Sequence, residues 1–429
     1  MPRIPLRLAA ALALTALPAA VPGGQPAAVA AGCARAAAVR AGRWFVAAPP
    51  LPAHSATRAA VFGDLRRIRA AGLDPADPRV VVVTDGERVQ RSDDGGCTWR
   101  EVWRLPETGP GSADAPSRDL AEIVSVDVAH AGRASRVLLA VAATGSGFST
   151  GRTYLVRSAD GRTGWTVVND ATLTSGAFDP MQGAWAPEVH SSGAAVAYAA
   201  TTSAAGTVQY LRSADGGRTW ALQTLPAPDA PTAIGGFAVS PFDANELWEW
   251  GGRLTKARQD TTRLRHSTDG GVTWTAVDPW PAFGGTAPSW TSLDVAWPRR
   301  GAPARLLVLG GVDDGSGAPP TPALSWSGDG GRTFRQVVPP FRTGVLDAAV
   351  AHTASGAALV LAHDGTAYRL AYRASGPRPG DWRALPRLAV RPGTEWTLLG
   401  HGVAHASATA PAAVAVLTAT NVQLLTVAP

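Results

Sequence analysis

Short apolar or alternating runs recur along the chain, separated by turn-forming residues and not by stretches of helical period. Val80 to Val83 is followed by Asp85-Gly86, a hairpin dipeptide, and then by Val89 to Ser92. Ile123 to Val128 and Val137 to Val141 repeat the strand pair, and Asp74-Pro75-Ala76-Asp77-Pro78 and Ser240-Pro241-Phe242-Asp243 each form a turn that enters such a unit. The pattern predicts an all-β protein built from antiparallel strands. With 47 Gly and 35 Pro in 429 residues the chain is rich in tight turns, and 45% hydrophobic residues supply a large core.

One octapeptide returns within this frame. Its clean copies carry Ser92, Asp94, Gly96, Thr98 and Trp99; Ser213, Asp215, Gly217, Thr219 and Trp220; Ser267, Asp269, Gly271, Thr273 and Trp274; and Ser327, Asp329, Gly331, Thr333 and Phe334. A fifth copy keeps Ser158, Asp160 and Trp165 but displaces the second glycine. Asp-Gly-Gly suits a hairpin turn in which Gly takes positive φ, the Ser and Asp side chains can accept from backbone N–H groups of that turn, and the aromatic residue is placed to wedge between sheets. The pattern S-x-D-x-G-x-T-W resembles the Asp-box, or BNR repeat, of the sialidase, sortilin and photosystem-assembly-factor propellers. Regular turn satisfaction makes these aspartates structural instead of catalytic or metal-binding.

Four strands with their loops need about 40 to 50 residues, so one box per unit fits. A decayed sixth unit runs from Val345 to Leu385 with Trp382 in the aromatic place. The remaining chain, Trp396 to Val427, offers three strands and no box, while Arg43-Trp44-Phe45-Val46 near the start resembles the strand that follows a box. Joining the terminal strands in one blade predicts a seven-bladed β-propeller of four-stranded antiparallel blades, a single domain over residues 31–429, with no open edge at the seam.

Residues 1–30 read as a signal peptide: Arg3 and Arg7 form the basic start, Leu8 to Leu17 the apolar stretch, and Ala28-Val29-Ala30 the cleavage site. The apolar run ends at Pro18 and Pro22, short of a membrane span, and no later segment is long enough to be a transmembrane segment. A secreted, extracellular, monomeric protein is expected. In that setting Cys33 and Cys97 can form a disulfide that tethers the N-terminus; lipid attachment at Cys33, making a cell-surface lipoprotein, is the alternative. The net charge of +6 rests on arginine, Lys256 being the one lysine, and no basic run resembles a nucleic-acid footprint.

Chemistry is harder to find. The sialidase resemblance implies an arginine triad, a Tyr and Glu nucleophile pair, an acid/base Asp and an Arg-Ile-Pro motif, but the one such motif, Arg3-Ile4-Pro5, lies in the signal peptide. Most of the five tyrosines fall in strand-like stretches, and none has a visible glutamate partner; Glu188, Glu246, Glu249 and Glu395 are the cleft candidates. Asp-box xyloglucan hydrolases are also similar, yet their cleft is implied to lie between two propellers. His401 and His405 have ligand spacing only for a helix, and Gly147 to Gly151 matches a nucleophile elbow by letter without the following helix. Neither a metal nor a cofactor is expected.

What remains is binding. The connections between units are long and carry Arg118, Glu122, Trp185, Glu188, Trp280, Trp290, Arg342, Glu395 and Trp396, residue types suited to a protein or glycan ligand. The expected function is a non-catalytic binding module acting through this loop-rich face; the alternative is an exo-acting, sialidase-like glycoside hydrolase.

Overall fold

The computed structural model describes residues 44–47, 49–51, 68–77, 79–107, 121–144, 151–168, 187–202, 208–223, 233–254, 259–280, 291–312 and 321–338, with strand segments 347–352, 358–363, 368–373, 382–384, 396–399, 412–418 and 422–427. Every regular element among them is a strand. The strands form four-stranded antiparallel sheets, seven among the described residues. In chain order the first six span 70–104, 121–168, 188–223, 233–277, 291–337 and 347–384, each a meander whose strands pair in sequence order. The seventh joins 396–399, 412–418 and 422–427 to the N-terminal strand Trp44–Ala47, with Trp44 opposite Leu425 and Ala47 opposite Val422. The two ends of the chain thus share backbone hydrogen bonds.

A meander places its first and third turns at one edge and its second turn, with the connection to the next sheet, at the other. The boxes occupy third turns. In the first box Asp94 Oδ1 accepts from the N–H groups of Cys97 (2.9 Å) and Thr98 (2.8 Å), and its Oδ2 accepts from Thr98 Oγ1 (2.6 Å). Ser92 Oγ donates to Asp94 Oδ1 and accepts from Gly96 N, both at 2.7 Å. The same set recurs around Asp215, Asp269 and Asp329. Gly95 and Gly96 have φ of 76° and 91°, the left-handed region that a side chain would strain.

The fifth copy shows how the box tolerates its displaced glycine. Asp160 Oδ1 accepts from Arg162 N and Thr163 N, both at 2.8 Å, and Oδ2 from Thr163 Oγ1 at 2.9 Å. The turn is one residue tighter, so Thr163 serves as the box threonine, a role its sequence position conceals.

Burial opposes ionisation of Asp329, but hydrogen bonds from Thr333, Ser327 and Arg332 outweigh it and lower the carboxyl from 3.8 to about 2. Asp94, Asp160, Asp215 and Asp269 are lowered by the same kind of bonds. Because the folded values lie below the unfolded one, this stabilisation is complete above about pH 4 and fades as pH falls toward about 2. Tryptophan fluorescence followed from pH 6 downward should therefore show unfolding beginning below about pH 4. Asp329→Asn, which cannot titrate, should make the acid limb shallower; an identical limb would show that the boxes do not govern acid stability.

The core lies between consecutive sheets. Val82, Val89 and Leu105 of the first sheet pack with Ile123, Leu139 and Val156 of the second. Leu138 and Leu155 meet Val189, Leu211 and Trp220 of the third, Tyr198 and Tyr210 meet Phe237 and Leu247 of the fourth, and Trp248 and Leu264 meet Leu293, Leu306 and Val308 of the fifth. Leu307, Leu309 and Leu324 of the fifth continue onto Val350 and Val360 of the sixth. Leu51, just after the N-terminal strand, packs on the first sheet. The box aromatics sit in these same clusters: Trp99, Trp165, Trp220, Trp274 and Phe334.

First strands of adjacent sheets are also stitched by a repeated Ser-x-Asp. Ser125 Oγ accepts from Val189 N (3.2 Å) and Asp127 Oδ1 from Ser191 N (3.3 Å). Ser292 Oγ accepts from Val350 N (3.4 Å), and Asp294 Oδ2 from His352 N and Nδ1 (2.7 Å each). These side chains stand in for the ladder bonds that first strands of neighbouring sheets do not make with each other.

Candidate functional site

The edge opposite the boxes gathers the starts of the first strands and the second turns. There Glu122, 4% exposed, is gripped by the Arg69 guanidinium through Nε and Nη2. Buried Arg88 lies 3.2 Å from Asp85 and 3.3 Å from Glu87 across the second turn of the first sheet. Half-buried Glu188 lies 3.4 Å from His190 Nε2. Asp85, Glu87, Glu122 and Glu188 thus each face an arginine or a histidine, an arrangement that fixes the edge electrostatically.

Residue by residue, the expected ligand face divides. Glu122 is buried and ion-paired instead of open, because its place at the start of a first strand sets it against Arg69 of the preceding sheet. Trp280 is 6% exposed and belongs to the core between the fourth and fifth sheets, so it is a packing residue. Glu188 lies at the expected edge. Arg118, Trp185, Trp290, Arg342 and Glu395, the side chain of Trp396, His401, His405 and Cys33 lie outside the described residues; Cys97 is buried in its box turn. Ser240 to Glu246, read from the sequence as entering a unit, is the first turn inside the fourth sheet, between its strands 233–239 and 247–254, so Glu246 lies at the box edge, 3.6 Å from His266.

Glu249 overturns the expectation that no tyrosine is paired with a glutamate. Tyr210 Oη donates to Glu249 Oε2, and Arg265 binds Oε1 of the same carboxylate through Nε (3.0 Å) and Nη2. The box residue Trp274 covers the group: its ring lies 5.6 Å from that of Tyr210 and 5.2 Å from the Arg265 guanidinium. Tyr210 comes from the third sheet, Glu249 and Arg265 from the fourth, 39 and 16 residues apart along the chain from Glu249. The composition is that of a glycosidase nucleophile pair, but the place is not. Tyr210 and Glu249 are each 1% exposed, in third and second strands, sealed between two sheets. Burial, reinforced by the Glu249 charge, pushes the phenol well above 10.0, which holds it protonated. Burial also raises the Glu249 carboxyl, against the opposing pull of Arg265 and the Tyr210 bond. A nucleophile needs access and a low barrier to deprotonation, and this phenol has neither.

No family model matches the chain. No curated protein matches it either. Among solved structures, an ancestral GH74 enzyme superposes over 88% of this chain and 45% of its own, with a TM-score of 0.50 and 13% identity. The fold is of the propeller type. This chain spans less than half the length of that GH74 enzyme. A PL25 ulvan lyase aligns over 84% of this chain and 94% of its own, with TM-score 0.49 and 10% identity. The BP39L lectin of Burkholderia pseudomallei aligns over 84% and 99%, with TM-score 0.48 and 15% identity. The structural neighbours are β-propeller glycosidases, sialidases and lectins, and at these identities the likeness is one of architecture.

Proposed function

We propose that this chain is a secreted, monomeric, seven-bladed propeller, closed by its terminal strands in one blade, that binds a protein or glycan without chemically altering it. The observation that carries the non-catalytic reading is the burial of Tyr210 and Glu249, the one Tyr–Glu pair among the described residues, each at 1% exposure. A sialidase-like hydrolase would need that pair at a solvent-filled mouth, with carboxylates about 5 to 9.5 Å apart where two carboxylates share the work. The ligand face of this reading is the edge opposite the boxes, where Glu188 lies; Arg118, Trp185, Trp290, Arg342, Glu395 and Trp396 are proposed from the sequence to contribute to it. Export with cleavage near residue 30 and a Cys33–Cys97 bridge complete it.

The test uses the exported chain, with intact mass before and after reduction checking both the cleavage and the bridge. Screened on a panel of glycans and chromogenic glycosides, it should bind at least one glycan saturably and release no product. Turnover of a sialoside or another glycoside, abolished by Glu188→Gln, would establish the hydrolase instead.

A further inference from the structure

A cleft of about 780 Å³ opens between the fourth and fifth sheets at the edge that carries the boxes. One wall is the first turn of the fourth sheet, with Phe242, Asp243 and Glu246. The other is the first turn of the fifth sheet, with Trp297, Arg299 and Arg300, joined by Arg332 and Asp329 of the box in that same sheet. The volume is that of a small-molecule site.

The arginines here have no structural duty. The first turn of the fifth sheet is closed by Ala302 N donating to Arg299 O (3.2 Å), with Gly301 at φ 73°, so the turn needs neither guanidinium. Arg332 fills the box position that holds Cys97, Arg162, Arg218 and Val272 in the other copies, where the box bonds use only the backbone. Arg299, Arg300 and Arg332 are all exposed, and none forms an ion pair among the described residues.

The three carboxylates lining the cleft, Asp243, Glu246 and Asp329, match the three arginines in number but form no ion pair with them among the described residues. Asp329 accepts from Thr333 N, Thr333 Oγ1 and Ser327 Oγ within its box. Asp243 Oδ1 accepts from Asn245 N (2.9 Å), and Glu246 faces His266. The guanidinia thus stay unpaired, and each offers five N–H groups in a planar fork that matches a carboxylate or sulfate. Half-buried Phe242 and buried Trp297, which belong to the core between these two sheets, supply an apolar lining. An aromatic surface beside open guanidinia suits a ring that carries both a C–H face and an anionic group, which an acidic peptide side chain does not provide.

We propose that this cleft binds an acidic carbohydrate, one bearing carboxylate or sulfate groups, at the box edge and apart from the loop-rich face. Calorimetric titration of the exported chain with oligogalacturonate and with dextran sulfate tells the two anions apart, with neutral dextran and poly-L-glutamate as comparators. One acidic sugar should bind saturably, more weakly as salt rises, and neutral dextran should not bind. The triple variant R299Q/R300Q/R332Q should lose at least about tenfold in affinity, the loss expected for charge-assisted hydrogen bonds. R218Q, at the equivalent position of the third box, should bind as the parent does. Equal affinity in the triple variant, an equal loss in R218Q, or tighter binding of polyglutamate would each overturn the proposal. Binding of any other glycan that survives in the triple variant belongs to the loop-rich face, so the two readings fail separately.

Discussion

Trp248→Ala should lower unfolding stability by about 3–5 kcal/mol, the usual cost of removing a fully buried large aromatic side chain. Trp248 is 0% exposed and lies in the core between the fourth and fifth sheets, its ring stacked on His266 at 4.1 Å. The box of the fifth sheet is shaped around it: a Cβ on Gly331 would fall 2.6 Å from Trp248 Cη2, and Gly331 has φ 75°. Gly331 is thus required both by its turn and by the wedge it covers. Denaturant midpoints, with the m-value checked for constancy, measure the loss. A change below about 1 kcal/mol would mean that adjacent sheets are not held together by such side chains.

The second large effect comes from Glu249. Glu249→Ala leaves the Arg265 charge and the Tyr210 hydroxyl buried without their acceptor, a defect that costs about 3–5 kcal/mol. Replacing both ions, as in Glu249→Leu with Arg265→Met, should recover most of that loss, because the desolvation cost disappears with the charges. The same midpoint measurement decides it. If the single and double variants are equally destabilised, the glutamate acts through packing alone and not as the counter-ion that the geometry indicates.

These two sites differ in how far the chain foretells them. Trp248 follows the Ser240-Pro241-Phe242-Asp243 turn and sits next to Leu247, and its place in a strand is legible from Ser240 to Trp248. Its partners are not, because they come from the next sheet. The Tyr210–Glu249–Arg265 group is invisible in the sequence: its members lie in different strands, and each alone looks like an ordinary strand residue. Glu122 misleads in the same way, resembling a loop charge until Arg69 of the preceding sheet is set beside it. One signal of the stitching between sheets lies in the chain itself. Val124-Ser125-Val126-Asp127-Val128-Ala129 and Thr291-Ser292-Leu293-Asp294-Val295-Ala296 share a Ser-x-Asp within an apolar strand, where two polar residues on one face call for partners.

The cleft at the box edge shows the same division. Arg299-Arg300 stands out in the chain as an adjacent basic pair in a turn, but nothing in its neighbourhood says that Arg332 and Phe242 share its space.

The amino-acid order alone determined the all-β class, the box turns and the pairing of the N-terminal strand with Val422–Val427. Those features rest on hydrogen bonds closed within a few residues, or on a repeat whose incomplete last unit needs one more strand. Only the tertiary structure decided which charges are buried, which are paired and which arginines stay open. That outcome depends on the facing of one sheet against the next, where groups far apart in the chain meet in a space from which water has been removed.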